Sequence, residues 1–228
     1  MTILKVVLSG SLVSILAAEA PAQVLIYSND FEGPGPVGSE WSDTSTDTTP
    51  GTVQHPADKF LGQFGSGTVT LTLTDLPPAH TEVTVAFDLF VIRSWDGNGK
   101  YGLGPDEWNV GVEGVGAFNT TFSNWSGTDN QAFPDEYPGG DNPPRTGAIE
   151  NNTLGYEFDD NPQDAVYHAS VPFAHTASTL VVTFSATGLQ ELTDESWGLD
   201  DVVIQVDIPE PATVFLLALG GLVVSRRR

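Results

Sequence analysis

The sequence contains no cysteine among its 228 residues, and cations are scarce, with eight lysines and arginines against 30 aspartates and glutamates. Without cysteine the chain can form neither disulfides nor a thiolate metal site, so a folded domain must be stabilised by its hydrophobic core or by bound metal. The excess of carboxylates repels phosphate backbones and anionic lipid, which excludes nucleic acid as a partner. The same charge favours divalent cations and neutral partners.

The N-terminus is the first of two apolar ends. Lys5 precedes an apolar run over residues 6–18, which is followed by an A-x-A-like site ending at Ala22. This pattern is typical of a secretory signal peptide that forms a helix within residues 1–22 and is cleaved after Ala22, or alternatively at Ala18. No cysteine follows the run, which excludes lipoprotein processing, and we expect export through the general secretory route.

The C-terminal residues 208–228 have three parts. Pro209-Glu210-Pro211 is a rigid polar tag, because proline lacks an N–H donor and keeps the backbone extended. An apolar helix over residues 212–225 would reach about 21 Å at about 1.5 Å per residue, short of the ~30 Å hydrocarbon core. Three arginines end the chain, where the positive-inside rule places cytoplasmic charge, so the rest of the protein would lie outside. They are Arg226, Arg227 and Arg228.

This order of polar tag, apolar segment and cation cluster resembles the PEP-CTERM sorting signal of exported bacterial proteins. The resemblance implies that an exosortase-type enzyme recognises the Pro-Glu-Pro tag while the apolar segment transiently holds the protein in the inner membrane. Cleavage near the tag would then release or transfer the body of the protein to the cell surface or the extracellular space. A plain C-terminal membrane anchor is the alternative.

Residues 23–207 remain when both ends are removed, a length that fits one domain with a substantial core. Four cations and 28 carboxylates give this body a formal charge of −24. Apolar and polar residues alternate with a period of two in 68–73 and 82–91, where threonine, valine and phenylalanine are common, as on a pleated half-buried surface. Further strands are predicted over residues 24–27, 108–112, 117–122, 165–173, 179–185 and 199–206.

Turn residues separate these segments, and about nine strands with this spacing predict an all-β fold. We expect a two-sheet antiparallel β-sandwich of the jelly-roll type. The stretch from residue 129 to residue 162 is longer than an ordinary structureless connection, so it is either a functional loop or contains a further strand.

Carboxylates follow the first predicted strand and enter the last, in residues 29–32 (Asn-Asp-Phe-Glu) and 199–202 (Leu-Asp-Asp-Val). If the terminal strands are neighbours, these carboxylates converge, and Ca²⁺ would relieve their repulsion. The two motifs resemble those of concanavalin A-like and MAM-type jelly rolls, although the cysteine of the MAM motif is absent. The resemblance implies structural calcium binding by Glu32 and Asp201, with Asp30 and Asp200 as further ligands. Solvated carboxylates that cap the strand ends are the alternative.

A second acidic segment begins at Asp96, where alternating side chains and glycines are similar to the start of a calcium loop. Lys100 replaces the third acidic ligand, so the segment is not an EF-hand, although Glu107 occupies the twelfth position. We expect Asp96, Asn98 and Asp106 to form either a second ion site or a network of turn hydrogen bonds.

Five tryptophans lie mostly in or beside predicted loops. The apolar faces of sugar rings stack on indole while carboxylates and amides bind their hydroxyls, so this mixture predicts a carbohydrate or exopolysaccharide site. Trp95, Trp125 and Tyr137 are its candidate ligand-binding residues. The alternative is that each tryptophan closes an end of the hydrophobic core, as Trp197 is expected to do.

The sequence offers no convincing acid and base for catalysis. The segment from Glu157 starts the Glu-x-Asp-x-x-Glu pattern of laminarinase-type glycosidases, but Pro162 stands where the second glutamate should be. The four histidines show no metal-ligand spacing. We therefore expect a non-catalytic, calcium-stabilised carbohydrate-binding module at the cell surface or in the extracellular matrix. A structural matrix protein without a ligand and a glycoside hydrolase are the alternatives.

Overall fold

The computed structural model describes residues 22–99, 102–125 and 129–208. Residues Gln23–Ile208 form one compact unit. The expected signal helix and the expected apolar C-terminal helix lie outside the described residues, as do Lys100 and the Pro-Glu-Pro tag. The described residues contain no helix that is long and apolar enough to cross a membrane.

The described part of the chain builds two main antiparallel sheets that pack face to face. The larger sheet has the order β2-β3-β13-β5-β11-β8, and β1 also pairs with β13. Its strands are β1 (Ala22–Asn29), β2 (Thr46–Thr48), β3 (Lys59–Phe64), β5 (Glu82–Arg93), β8 (Glu150–Asn151), β11 (Asp164–Ala174) and β13 (Glu195–Ile208). The smaller sheet has the order β4-β12-β6-β7 and comprises β4 (Gly67–Leu73), β6 (Glu107–Val112), β7 (Gly116–Thr121) and β12 (Leu180–Thr187). A short hairpin joins β9 (Glu157–Phe158) to β10 (Asn161–Pro162).

The main core lies between the two sheets. Alternate residues of β5 are fully or almost fully buried there, and alternate residues of β12 approach them from the other sheet. Phe184 of β12 is in the middle, with its ring 5.4 Å from that of Phe87 and 5.9 Å from that of Trp41. Burial of one face of each strand explains the period of two in the sequence.

A second, smaller core covers the outer face of the larger sheet. Phe90 and Ile92 of β5 contribute to it, together with Leu154 and Tyr156 from the long stretch after residue 129. The end of β5 is therefore buried on both faces, and the alternation is lost there because Leu89 to Ile92 are all at most 1% exposed. The long stretch acts as a cover, and it contains the short strands β8, β9 and β10.

The predicted two-sheet antiparallel sandwich is confirmed, and the terminal strands are neighbours, because β1 pairs with β13. Each predicted strand overlaps an observed one. β2 and β3 were not predicted from the sequence. In β3, a run of buried residues around Gly62 hides the alternation, because one face packs in the main core and Phe60 packs in the second core.

Replacing Phe184 by alanine should destabilise the sandwich by about 3–5 kcal/mol, because the change removes a buried aromatic ring and leaves a cavity between the sheets. Equilibrium unfolding in urea measures the loss. Val53→Ala is the control, since Val53 is 97% exposed, and it should change the free energy of unfolding by no more than about 0.5 kcal/mol. Equal stabilities of the two variants would contradict this packing.

Candidate metal centre

Three carboxylates from distant parts of the chain converge at one end of the sandwich. Asp96 lies just after β5 and forms a bridge with Ser123, Asp106 immediately precedes β6, and Glu195 begins β13. One oxygen of each lies within 4.8 Å of the others. We call these three residues the acidic triad. Because β5 and β13 belong to the larger sheet and β6 to the smaller one, the triad links the two sheets.

The triad is shielded from water, since Asp96 is 4% exposed and Asp106 and Glu195 are 0% exposed. Burial raises the pKa of Asp106 to about 7, and the nearby Asp96 charge adds to this effect. Burial, followed by the charge of Asp106, raises the pKa of Glu195 to about 9. Burial also raises the pKa of Asp96. Three ionised carboxylates at this spacing require a compensating positive charge or a proton.

The hydrogen bonds of the triad leave one of its oxygens without a donor. The backbone N–H of Asp96 donates to Asp106 Oδ2, and the N–H of Gln190 donates to Glu195 Oε2 over 2.7 Å. Asp106 Oδ1, in contrast, is buried and accepts no hydrogen bond from a donor in the described ranges, although the Asp106 and Glu195 carboxyl groups interact with each other. An enclosed, unpartnered carboxylate oxygen beside two further carboxylates fits a hard cation that prefers oxygen ligands, such as Ca²⁺.

The surroundings of the triad add negative charge. The charges of Asp129 and Asp194 raise the pKa of Asp96 further. The lysines and arginines in the described ranges are Lys59, Arg93 and Arg145, and none of them forms an ion pair with the triad. A divalent cation would therefore meet a strongly negative, dehydrated set of oxygens.

The structure brings together two of the three residues expected in this ion site. Asn98 turns away, because its Nδ2 donates to Gly140 O over 3.0 Å and its Oδ1 accepts from Thr121 Oγ1 over 2.5 Å. Glu195 takes the third place, and the sequence analysis did not identify it. The sequence signal for Glu195 is a carboxylate at the start of the last strand. Its proximity to Asp96 could not be predicted, because it depends on the pairing of β13 with β5.

The four carboxylates expected at the strand ends separate into two groups. Asp30 and Asp201 line one open groove beside β1. Glu32 and Asp200 instead each interact with Asp58, which the sequence analysis missed. The cause of the separation is local, since Asp201 has a φ of 46° where the register of β13 shifts, so neighbouring side chains no longer follow regular alternation.

The group around Asp58 is partly buried. Burial raises the pKa of Asp200 to about 8. The hydrogen bond from the N–H of Asp201 lowers this pKa, whereas the charge of Asp58 raises it. Glu32, at the open end, has a lowered pKa because it accepts a hydrogen bond of 2.6 Å from the N–H of Lys59. The carboxylate of Glu32 already has a backbone donor and access to water. Among the described residues, Glu32, Asp58 and Asp200 have no buried oxygen without a hydrogen bond.

The aromatic candidates lie in different environments. Trp95 is fully buried, and its indole N–H donates to Ser196 O over 2.9 Å, so it has no ring face to offer a sugar. Trp41, Trp108 and Trp197 are also in the core. Tyr137 is half-buried, and its N–H donates to Asn119 O. Trp125 is 37% exposed and is the one candidate in the described ranges with an open indole.

Two histidines that are 95 positions apart form a buried pair. His80 Nε2 lies 2.8 Å from His175 Nδ1, and His80 Nδ1 lies 2.7 Å from Pro77 O. Burial lowers the pKa of His175. Among the described residues, no carboxylate hydrogen-bonds to either histidine, so the pair does not form a metal site with histidine and carboxylate ligands. The hydrogen bond between the two rings instead joins two loops.

The comparisons with known proteins identify one sequence element. Residues 207–228 match the family model of the PEP-CTERM protein-sorting motif. The chain therefore carries a PEP-CTERM sorting motif at its C-terminus. No curated protein sequence matches the chain significantly.

Solved structures with a similar fold are distant. Dimeric latent PorU from Porphyromonas gingivalis is 12% identical with a TM-score of 0.43, covering 85% of this chain, which spans 13% of that one. The CBM22-1 xylan-binding domain of Paenibacillus barcinonensis Xyn10C is 13% identical with a TM-score of 0.38, covering 85% of this chain and 100% of the domain. The CBM6cm-2 carbohydrate-binding module of Cellvibrio mixtus lichenase 5A, in complex with cellotriose, is 12% identical with a TM-score of 0.34, covering 84% and 100%.

The raised pKa of Glu195 predicts how stability depends on pH when divalent cations are chelated. Between the usual pKa of 4.5 and the folded-state pKa of about 9, the unfolded chain has released a proton that the folded chain still holds. The free energy of unfolding should therefore fall as the pH rises through this window. Glu195→Gln should flatten the fall, because glutamine does not ionise.

Urea unfolding in chelator at a series of pH values measures this effect. Glu136→Gln is the matched control, because Glu136 is exposed and lies outside the triad. A slope that is the same in Glu195→Gln, Glu136→Gln and the unsubstituted protein would show that Glu195 is not held protonated by burial. Other buried carboxylates, such as Asp106 and Asp200, act in the same direction, so the slope should be reduced and not abolished.

Proposed function

We propose that the mature protein is an exported, calcium-stabilised β-sandwich that binds polysaccharide at the cell surface or in the extracellular matrix without transforming it. The observation that carries the cation part is the buried Asp106 oxygen that accepts no hydrogen bond from the described residues. Asp96 and Glu195 supply further carboxylates, and one oxygen of each of the three residues lies within 4.8 Å of the others. In a chain without cysteine, a cation that links the sheets would fulfil the stabilising role that disulfides have in other exported domains.

Export and sorting follow from the two ends of the chain. The PEP-CTERM motif supports processing by an exosortase-type enzyme at or near Pro209-Glu210-Pro211, with the inner membrane as a transient location. The apolar run within residues 1–22 supports entry into the secretory route. We therefore assign residues 23–207 to the mature domain and residues 208–228 to the sorting tail.

The polysaccharide part rests on Trp125, whose indole is exposed beside amide side chains. A structural matrix protein without a defined ligand remains the competing function, and it predicts no glycan binding at all. Catalysis by the triad is not proposed. A general acid must contact the substrate, and Asp106 and Glu195 are both 0% exposed.

Calcium should raise the melting temperature, because a ligand that binds only the folded state stabilises it. At a concentration about 100 times the dissociation constant, the gain is about 2.7 kcal/mol, or about 5–10 °C for a domain of this size. Asp106→Asn should lose most of this calcium-dependent rise. Differential scanning calorimetry with calcium and with chelator provides the measurement.

Asp75→Asn is the control for this experiment, since Asp75 is exposed and distant in sequence from the triad. Its melting temperature should respond to calcium as that of the unsubstituted protein does. If chelator leaves the melting temperature of the unsubstituted protein unchanged, the triad does not hold calcium.

Processing predicts the C-terminus of the mature protein. In a host that has an exosortase, intact-mass spectrometry should find a chain that ends close to Pro209, without the terminal arginines. Replacing Pro209 and Pro211 by alanine should leave the tail in place, because the tag would no longer be rigid. Arg226→Lys keeps the charge and should be processed normally, whereas an intact tail in the unsubstituted protein would refute sorting by this motif.

A further inference from the structure

A polar groove of about 400 Å³ lies at the surface around Trp125. This volume falls within the ~300–1,000 Å³ of small-ligand sites. Trp125, Asn124 and Arg145 line it, together with Asn161 from the hairpin of the long covering stretch. The groove therefore combines an aromatic ring, amides and one guanidinium.

The indole of Trp125 is held in place although it is exposed. Its ring lies 6.3 Å from that of Phe158, at an interplanar angle of 87°. An aromatic side chain that is already fixed loses little conformational entropy when a flat ligand stacks on it. The apolar face of a pyranose ring is such a ligand.

Arg145 is a half-buried cation that lacks a partner. Its Nε is buried without a hydrogen bond, and none of its side-chain donors is paired within the described residues. The other described cations are occupied, since Lys59 donates to Gly33 O and Arg93 donates to Gln63 and Ser196. Burial lowers the pKa of Arg145, which reflects the cost of its partial dehydration.

Tyr167 and Asp164 act electrostatically to raise the pKa of Arg145 against the effect of burial, but Asp164 forms no ion pair with Arg145 among the described residues. Asp164 Oδ1 accepts hydrogen bonds from the backbone N–H groups of Thr153 and Leu154, and Oδ2 accepts one from that of Tyr156. Asp164 is thus engaged in holding the covering stretch. The guanidinium remains available to an anionic group of a ligand, and its planar fork matches a carboxylate.

Asn124 is a further residue that lines the groove. Its Nδ2 donates to the carbonyls of Val91 and Arg93 over 3.0 and 2.7 Å, which fixes the amide. Its Oδ1 is buried and accepts no hydrogen bond from the residues that the structure describes, and Asn124 as a whole is 2% exposed. A ligand hydroxyl is the kind of donor that would satisfy this oxygen.

We propose that this groove binds a hexuronate residue, with the sugar ring stacked on Trp125, its carboxylate on Arg145 and a hydroxyl on Asn124. The proposal rests on the polysaccharide-binding function proposed above and specifies its ligand. The uronate is an isolated substituent of an otherwise neutral polysaccharide. The groove offers one guanidinium, and a body with a formal charge of −24 repels densely charged polyuronates.

A matched pair of disaccharides tests the proposal, namely β-glucuronosyl-(1→4)-glucose and cellobiose, which differ only in a carboxylate that replaces one hydroxymethyl group. Isothermal titration calorimetry in calcium-containing buffer should show about fivefold to tenfold tighter binding of the uronate, as expected for a charge-assisted hydrogen bond at a half-exposed site. Arg145→Gln should remove this preference and leave cellobiose binding unchanged. Trp125→Ala should weaken both sugars at least about tenfold.

Lys59→Gln is the control, because it removes one cation that does not line the groove, and it should keep the preference. Unchanged melting curves of the variants would show that they are folded. Equal affinities for the two sugars in the unsubstituted protein would overturn the uronate inference and leave polysaccharide binding standing. Absence of binding to either sugar would overturn both, whereas the calcium-dependent melting of the triad is judged independently.

Discussion

The acidic triad sets the constraint on which this end of the sandwich depends. Asp96, Asp106 and Glu195 lie with oxygens within 4.8 Å of one another and with almost no contact to water. Their repulsion must be compensated by protons or by a cation, and the two solutions have opposite consequences. Protons make the fold most stable in acid, whereas calcium lets the ionised triad hold the sheets together at neutral pH.

Burial on both faces of one strand explains how the triad is shielded. The end of β5 packs Leu89 and Val91 into the main core and Phe90 and Ile92 under the covering stretch. β5 ends at Arg93, and Asp96 follows three residues later and is 4% exposed. Asp164, anchored by backbone N–H groups, fastens the cover over the opposite face. Sheet packing therefore determines the electrostatics of the site.

The two-sheet sandwich could be predicted from the sequence, because most of its strands show a local alternation of apolar and polar residues. Alternation in β4 and β5 identified the strands, whereas β3, buried on both faces, carried no alternation to read. The sites depended on more than local pattern. Asp96 and Asp106 could be named together because ten positions separate them, but Glu195 reaches them only through the pairing of β13 with β5.

The tryptophans differ in their burial, and the composition of the sequence does not predict which of them are exposed. Trp95 and Trp125 both lie in loops, yet one fills the core and the other lines a groove, because Trp95 is adjacent to the doubly buried strand. The grouping of the carboxylates at the strand ends could not be predicted from the sequence either. The shift of register at Asp201 separates side chains that a regular strand would have ordered differently.

The triad and the groove are joined by one short segment. The N–H of Asn124 donates to Trp95 O over 3.0 Å, immediately before Asp96, and the side chain of Asn124 holds the carbonyl of Arg93. The next residue is Trp125. A cation bound by Asp96 would therefore stabilise the strand end to which the groove is anchored. The backbone and side chain of Asn124 thus place the groove and the acidic triad on neighbouring residues of one strand end, so the packing that buries the triad also positions Trp125.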